Sequence, residues 1–541
     1  MNLSRHLIQA LDRALSDLGH PPISISLEIP PDPSLGDRSS TVALELARQL
    51  KKSPRTIAEA ILQALPAGDP LISRCEIAGA GYLNFSYSEE ALRRLVKAIL
   101  DMEAEYGSSD IGMGVRRQFE FVSANPTGPL NIVSARAAAL GDSLVRLQKK
   151  IGFNVESEYY VNDSGKQVEL LGSSVQARVR EAQGQPHEIP EGGYHGAYIA
   201  DLAQEATRTY PNDPLAAAAL DMGRWAARIM VQQQQRTLDD YGVKFDRWFF
   251  ESELHDEGRP ARTLEQLQAG GHVYLKDGAH YFRSRQFGDD EDRVVVTSDG
   301  RPTYFLPDIA YHLHKAERGF KKVYDLWGPD HHGHVQRMLG AMRALDLPEG
   351  FLEVIIVQQV NLLRGGQPVK MSKRTGEMIT MQELLDEVGA DAARQIFLSR
   401  RWSSHLDFDI EVAKDRSEKS PVFYVQYAHA RIASIFRKAE NIAAGRAEDL
   451  QRLSAKEELD LIRTLSLFPD MVEAAALQSA PHRLNSYLAD LATAFHKFYH
   501  ECRVLSEDTE LTRARLALCR AAQITLREGL RLLGMSAPEQ M

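Results

Sequence analysis

Residues 118–134 read QFEFVSANPTGPLNIVS, and they decide the fold of the 541-residue chain. The apolar residues at the start predict a buried strand, while Leu140, Leu144 and Leu147 give the next segment the apolar spacing of a helix. Proline and glycine between the two predict a fixed turn. Backbone N–H groups and the helix dipole converge on such a turn, where phosphates and carboxylates bind. The stretch therefore predicts a ligand-binding strand–turn–helix unit, with an ordinary connecting turn as the alternative.

Strand-like and helix-like runs alternate along the middle of the chain. This alternation predicts parallel βαβ units and hence a Rossmann-like α/β sheet domain, which we place at 113–380. A long, acidic and mainly helical segment at about 162–300 is predicted to be an insertion within that domain. The predicted strands lie at 117–123, 154–161, 322–327 and 351–358, and the predicted helices at about 134–150, 164–181 and 331–345.

The two flanks of this domain have different patterns. Residues 1–105 combine amphipathic helices with a strand-like stretch around Leu83, and predict a separate N-terminal α/β domain. From about 380 the strand signal disappears. Residues 381–415 are predicted to connect the sheet domain to an all-α helical bundle over 416–541.

Composition excludes several classes of protein. With 43% hydrophobic and 26% charged residues, the chain is predicted to be globular rather than disordered. A net charge of −10 excludes a globally basic coat protein for nucleic acid, but not a local basic groove. Three dispersed cysteines favour a reducing compartment and exclude a cysteine-rich zinc site. Without a long apolar run or a secretory signal, the expected location is the cytoplasm and no membrane partner is expected.

A second informative segment, residues 365–376, reads GGQPVKMSKRTG. Its two lysines lie in a loop that has glycines at both ends and follows a predicted strand. Ammonium groups on such a loop can follow the negative charge that builds on a triphosphate as its α-phosphorus is attacked. A solvated basic loop is the alternative.

These segments together resemble a class I aminoacyl-tRNA synthetase, and specifically the arginyl-tRNA synthetase family. The resemblance covers essentially the whole chain, and its motifs occur in the family's order. The matching segments are GD at 36–37, AGAGYLNF at 78–85, SANPTGPL at 123–130, YFLPDIAYH at 304–312, KMSK at 370–373 and PVFYVQYAHAR at 421–431.

The resemblance implies an arginine–tRNA ligase. Such an enzyme activates L-arginine with ATP to arginyl-adenylate, releases pyrophosphate, and transfers the arginyl group to the 3′ end of tRNA(Arg) with release of AMP. Mg²⁺ is expected with ATP, no structural metal is expected, and a monomer is expected. The N-terminal domain is expected to contact the tRNA elbow, and the helical bundle its anticodon.

One departure from the family pattern concerns the first signature. Where the family usually has His-x-Gly-His, this chain has Asn131-Ile-Val-Ser134. Asn131 and Ser134 are neutral donors, and replacing a preorganised donor typically costs about 10²–10³ in rate. We expect an active site in which His334, from the cluster Asp330–His334, supplies a further donor. The alternatives are a catalytically impaired tRNA-binding relative and, for the histidine cluster, a metal site.

The resemblance also assigns residues to each substrate. Catalytic roles are expected for Lys370 and Lys373 from the KMSK match, and for Asn131, Ser134 and His334 as substitutes for the missing signature histidines. ATP binding is expected at Gly128, Pro129, Asn131, Ser134, Met371, Ser372 and Lys373. Asp308 is expected to pair with the guanidinium beside Tyr304, although a helix cap and a core aromatic are the alternatives. The other expected arginine-binding residues are Glu120 as second acid, Ser123 and Asn125 at the α-amino and carboxylate end, and His331 in the pocket lining.

Anticodon bases are read by stacking and by hydrogen bonds to their edges. Tyr424, Tyr427, His429 and Arg431 are the candidates for this contact, with packing between helices as the alternative. Phe495, Phe498 and Tyr499 are predicted to belong to the core.

Overall fold

The N-terminal part folds around a four-stranded antiparallel sheet of order β1-β2-β4-β3. The computed structural model describes residues 2–210, 215–369, 379–417, 420–439 and 449–541. The elements of this part are α1 (Leu3–Asp17), β1 (Leu27–Glu28), β2 (Arg38–Ser40), α2 (Val42–Leu50), α3 (Pro54–Ala64), β3 (Ile72–Ala78), β4 (Tyr82–Tyr87) and α4 (Glu89–Met102).

A parallel sheet organises the middle of the chain. Its first elements are β5 (Arg116–Glu120), α5 (Ile132–Lys150), β6 (Asn154–Val161), α6 (Gly165–Ala182), α7 (Ala197–Thr209), α8 (Ala219–Asp240), β7 (Arg247–Phe250), α9 (Glu251–Asp256) and α10 (Arg259–Ala269). They are followed by β8 (Val273–Lys276), β9 (Ala279–Phe282), β10 (Arg293–Val296), α11 (Phe305–Glu317), β11 (Lys322–Trp327), α12 (His332–Ala344) and β12 (Leu352–Ile356).

The strand order of this sheet is β12-β11-β5-β6-β7, and all neighbouring pairs are parallel. Numbered along the chain, the order is 3-2-1-4-5, which is the doubly wound arrangement. The predicted Rossmann-like fold is thereby confirmed. The order reverses between β5 and β11, and ligands bind in the crevice at such a point.

Helices dominate the remainder. Its elements are β13 (Val360–Arg364), β14 (Gln367–Pro368), α13 (Met381–Val388), α14 (Ala390–Phe397), β15 (Leu406–Asp409), α15 (Ile410–Ala413), α16 (Pro421–Ala439), α17 (Lys456–Ser466), α18 (Phe468–Leu477), α19 (Pro481–Glu501) and α20 (Thr509–Leu532). Among the described helices, none is both long and apolar enough to cross a membrane.

The structure differs from the sequence-based prediction at three places. β7 belongs to the central sheet although it lies inside the predicted insertion, and β8, β9 and β10 form a small antiparallel sheet there. β15 lies beyond 380, where no strand was predicted, and pairs with β13. These strands are only four residues long, too short for a clear alternation. Within the predicted bundle the sequence pattern predicts one helix over 456–478, but the structure has two, since α17 ends at Ser466 and Pro469 lies in the first turn of α18.

The helical bundle contacts both other parts of the chain. α5 lies between the sheet and the bundle. Gly141 on this helix leaves room for the ring of Phe121, because a Cβ added at Gly141 would lie only 2.2 Å from that ring. The N-terminal part is joined to the bundle by the buried Arg38, which lies 3.3 Å from Asp470, and by the Arg463–Asp37 hydrogen bond of 2.8 Å.

Candidate active site

The turn between β5 and α5 lies at the carboxyl ends of the parallel strands, beside the point where the strand order reverses. Within it Val122 and Ser123 have φ of 69° and 36°. This left-handed backbone is costly for a β-branched residue and persists only where the surroundings hold it in place. Strained backbone of this kind concentrates at functional sites, so the turn is a candidate ligand contact.

Two buried polar side chains hold this turn. The Tyr159 hydroxyl accepts a hydrogen bond from the Ala124 amide at 3.1 Å and donates to Gln234 Oε1 at 2.8 Å. Gln234 Nε2 donates in turn to the carbonyls of Asn125 at 3.2 Å and Gly128 at 2.9 Å. The shape of the turn is therefore fixed before a ligand binds.

Asn131 caps the helix that follows. Its Oδ1 accepts hydrogen bonds from the amides of Val133 at 3.0 Å and Ser134 at 3.1 Å. The Ser134 hydroxyl also donates to this oxygen, at 3.4 Å, and Ser134 is only 8% exposed. In this structure the Ser134 hydroxyl points to the cap, so its contact with ATP stays a prediction. Asn131 keeps its amide nitrogen, for which the described residues provide no hydrogen-bond partner.

The other predicted ATP contacts are distributed differently. Gly128 and Pro129 lie in the turn, half-buried. Tyr198 of α7 covers them, since its hydroxyl donates to the Thr127 carbonyl at 2.8 Å and would lie 3.3 Å from a Cβ at Gly128. Lys370, Met371, Ser372 and Lys373 lie outside the described residues.

Asp308 provides a carboxylate on the other side of this crevice. It lies in the first turn of α11, one turn beyond Tyr304, and the side chain of Asp308 is 39% exposed. Tyr304 is 69% exposed at the start of the helix. His334 Nε2 lies 3.2 Å from Asp308 Oδ2, without hydrogen-bond geometry, and its ring packs 5.6 Å from Trp327. His334, which was predicted to act on ATP, is thus placed beside the predicted guanidinium partner.

A second carboxylate near Asp308 was missed in the sequence. Glu251, at the end of β7, accepts hydrogen bonds from Tyr160 at 2.9 Å and Ser164 at 2.7 Å. Burial raises the pKa of Tyr160 well above its usual range, and the charges of Glu251 and Asp308 raise it further. Glu251 therefore contacts Tyr160 directly, and Asp308 is near enough to influence the same hydroxyl through its charge. The sequence contains a feature that could have identified Glu251, because this acid directly follows the apolar residues of the short strand β7.

Glu120, the predicted second acid, already has partners within the protein. Its Oε2 accepts a hydrogen bond from Lys315 at 2.7 Å, and its Oε1 accepts one from Ser123 at 2.9 Å. Lys315 is fully buried and also donates to Asp325 at 2.9 Å. Burial works to lower the pKa of Lys315, but Asp325 and Glu120 outweigh it and raise that pKa. Each Glu120 oxygen therefore has one internal donor, Lys315 or Ser123, and contact between Glu120 and arginine stays a prediction.

The remaining predicted arginine contacts are close to the turn or at the surface. Ser123 Oγ accepts from the Tyr160 amide at 3.1 Å and so connects the turn to β6. Asn125 is exposed, and its Nδ2 donates to Gln167 at 2.9 Å. His331 is exposed before α12, with its ring 6.0 Å from that of Trp327. Ser123 and Asn125 thus flank the crevice, while His331 lies at its surface.

A separate cleft lies on the helical bundle between α16 and α19. Its cavity measures about 490 Å³ and is lined by Tyr424, Tyr427, Arg431, His496, Tyr499 and His500. The Arg431 guanidinium lies 4.4 Å from the ring centre of Tyr427 and 5.1 Å from that of Tyr499. Aromatic rings beside a cation can stack with bases, so three of the four predicted anticodon contacts are brought together here.

Two predictions about this cleft are corrected. His429 is 3% exposed, its Nδ1 lies 2.9 Å from the Pro538 carbonyl, and burial lowers its pKa. It packs between helices and does not face the cleft. Tyr499, predicted to be core, is 36% exposed and faces Arg431. Phe495 and Phe498 are buried as predicted.

Comparison with known families divides the chain into three matching segments. Residues 2–87 match the arginyl-tRNA synthetase N-terminal domain. Residues 115–403 match the catalytic domain of class I (R) tRNA synthetases. Residues 425–541 match the DALR anticodon-binding domain.

Individual relatives agree with these matches. An arginine–tRNA ligase of Listeria welshimeri is 46% identical over 552 residues, covering 100% of this chain and 99% of the relative. One from Bacillus subtilis is 43% identical, covering 96% and 94%. The solved arginyl-tRNA synthetase of Thermus thermophilus shares the fold with a TM-score of 0.80 at 22% identity, covering 99% of this chain and 100% of that one.

Proposed function

The chain belongs to the arginyl-tRNA synthetase family, and on that premise we propose that it activates arginine with ATP and joins it to tRNA(Arg). The observation that supports arginine as substrate is the carboxylate pair Asp308 and Glu251 beside Tyr160 at the sheet edge. A guanidinium matches carboxylates through charge and paired N–H groups. A neutral analogue such as citrulline would offer these carboxylates no positive charge.

The phosphate end of the site is the N-terminus of α5. The Asn131 amide nitrogen, the backbone amides of the preceding turn and the helix dipole favour the ATP phosphates there. Lys370 and Lys373 are proposed to contact the same phosphates. Among the described residues, no group of three or more histidine, cysteine or acidic side chains could hold a metal ion. Mg²⁺ would therefore be bound mainly by ATP oxygens and water.

The proposed reaction needs no covalent enzyme intermediate. The arginine carboxylate attacks the α-phosphorus, pyrophosphate leaves, and a ribose hydroxyl of the terminal adenosine of tRNA then takes the arginyl group and releases AMP. Positioning and electrostatic stabilisation provide the rate. The turn around Asn125 and Gly128 is held in shape by hydrogen bonds from Gln234, which Tyr159 orients. Its backbone therefore does not have to rearrange during the reaction.

The tRNA is proposed to bind along two parts of the chain. The cleft of Tyr424, Tyr427 and Arg431 offers stacking surfaces and a positive charge for unpaired anticodon bases. Tyr499 extends this surface on α19. The N-terminal domain would contact the tRNA elbow.

The replaced histidines support one other function, that of a tRNA-binding relative with impaired catalysis. Charging of total tRNA with labelled arginine, in the presence of ATP and Mg²⁺, separates the two. We expect turnover on the order of 1 per second or faster, with no charging by lysine or citrulline. Binding of tRNA without charging would contradict the ligase and support the binding protein.

A further inference from the structure

Arg136 is a buried cation with an unusual set of partners. It lies in the second turn of α5 and is 0% exposed. Its Nη1 donates to the Gln358 carbonyl at 2.8 Å and lies 3.5 Å from that of Gln359. Its Nη2 donates to the carbonyls of Arg401 at 3.1 Å and Ser404 at 2.9 Å. Burial lowers its pKa to about 10, so the guanidinium is charged at neutral pH.

The other buried cations have carboxylate partners. Lys315 has two, at 2.7 and 2.9 Å, and the fully buried Arg394 lies 2.8 Å from Asp142. Lys150 and Arg38 also face acids. Within the described part of the chain Arg136 has none, and its Nε has no hydrogen-bond partner. A buried charge that has only carbonyl dipoles as partners adds little to the stability of the fold. We therefore look for the role of Arg136 in the geometry of the segments that it connects.

The carbonyls that Arg136 holds belong to two segments, and the first of them, at Gln358 and Gln359, follows the sheet strand β12. Val357, just past the end of β12, donates through its amide to the Trp327 carbonyl at 2.8 Å, and the Gln358 amide donates to the Trp402 carbonyl at 2.9 Å. Residues 357–359 therefore continue the carboxyl edge of the sheet. The hydrogen bonds of Arg136 tie them to α5, whose N-terminus follows the turn that the proposed function assigns to ATP.

We propose that Arg136 is a positioning residue that sets the distance between the N-terminus of α5 and residues 357–359, and with it the fit of ATP between them. The inference rests on the proposed function in assuming ATP as substrate. Arg136 itself does not touch the nucleotide. Its planar fork holds two separate segments at once, whereas a lysine ammonium keeps the charge but lacks the fork.

The test compares Arg136→Lys and Arg136→Gln with a matched control, Arg394→Lys. Arg394 is equally buried and also donates to carbonyls, those of Tyr241 and Leu533. Charging rates are measured at varied ATP and at varied arginine, and the dissociation constant of a non-hydrolysable ATP analogue is measured by calorimetry. Thermal unfolding establishes which variants are folded.

For Arg136→Lys we expect the KM for ATP and the analogue dissociation constant to rise roughly tenfold or more, because small displacements at a site cost large factors. The KM for arginine should change by less than about twofold, and Arg394→Lys should show no such separation. A purely structural role would lower the active fraction and leave both KM values unchanged. That result, or an equal ATP effect in the control, overturns the inference.

Two Arg136 variants are compared so that the test does not depend on the folding of either one. If Arg136→Gln does not fold, Arg136→Lys provides the comparison, and the reverse also holds. If neither folds while Arg394→Lys does, Arg136 is a stability residue and the inference is wrong. A wild-type protein that neither binds the analogue nor charges tRNA would overturn the proposed function as well.

Discussion

The two ends of the candidate site consist of different chemical groups. At the N-terminus of α5 the groups are neutral: a capping asparagine, backbone amides and a helix dipole. At the start of α11 they are carboxylates, Asp308 with the buried Glu251 nearby, and histidine and tyrosine side chains surround them. The first end has a partial positive charge spread over the backbone, and the second has full negative charges on side chains.

The difference teaches how one crevice can separate two oppositely charged substrates. Backbone amides favour phosphate and tolerate side-chain changes, because the donors remain when a side chain is replaced. A carboxylate pocket depends on individual side chains. We therefore expect side-chain substitutions to cost more at the guanidinium end than at the N-terminus of α5, the two phosphate-binding lysines apart, and the following predictions test this asymmetry.

The largest expected effect is that of Asp308→Asn. Removing the carboxylate leaves a substrate guanidinium without its main charge partner, and kcat/KM for arginine should fall about 10³-fold. Steady-state charging at varied arginine measures it. Asp330→Asn, an exposed acid on the same edge, is the control and should stay within about twofold. A similar loss in both variants would show that general negative charge, and not Asp308, attracts arginine.

Lys315→Met tests the internal ammonium beneath the pocket. It leaves Glu120 and Asp325 buried without their cation, and the free energy of unfolding should fall by about 3–5 kcal/mol. Lys322→Met, which breaks a partly exposed pair with Glu353, should cost less than about 1 kcal/mol. Urea unfolding measures both. Equal costs would mean that burial of Lys315 does not matter.

Within this cluster Asp325 contributes its own acid dependence, whereas burial raises the pKa of Glu120 and gives that residue the opposite sign. Burial would raise the pKa of Asp325, but Lys315 and His312 outweigh it and lower that pKa to about 2. Because the unfolded value is about 3.9, the stabilisation is complete above roughly pH 4 and is lost as the pH falls towards 2. This dependence should weaken in Lys315→Met.

Glu251→Gln should have a smaller effect than Asp308→Asn. The amide keeps hydrogen bonds to Tyr160 and Ser164 but loses the charge, so kcat/KM for arginine should fall about 10²-fold. Glu253→Gln on the same helix, where the acid pairs with Arg247 at the surface, provides the control and should be nearly silent. If Glu251→Gln is equally silent, Glu251 orients Tyr160 and does not face arginine.

The smallest effects are expected at the phosphate end. Asn131→Ala removes one donor and the helix cap, and should lower kcat by about 10- to 100-fold. Ser134→Ala should stay within about threefold, because that hydroxyl is turned towards Asn131. Single-turnover charging at saturating ATP measures both. Equal losses would show that the Ser134 hydroxyl rotates to reach the phosphates, so that Asn131 and Ser134 contribute alike.

The sequence predicted the long elements well and the side-chain partners less well. α5 and β6 follow apolar patterns that only a buried helix or strand produces. β7 escaped detection because four residues show no period, and Glu251 was missed with it. The internal partner of Glu120 was not predicted, because a sequence does not show which distant cation lies beside a buried acid. Lys315 is 195 positions further along the chain.

The pairing of Glu120 with Lys315 also has a consequence for folding during synthesis on the ribosome. The two residues are 195 positions apart. At about 5–20 residues per second, a ribosome needs roughly 10 to 40 s to travel from one to the other. During that time β5 has no neighbour on the side that β11 will occupy. A nascent chain with such an open edge is exposed to wrong pairing, so chaperones that bind unpaired strands would act in this interval.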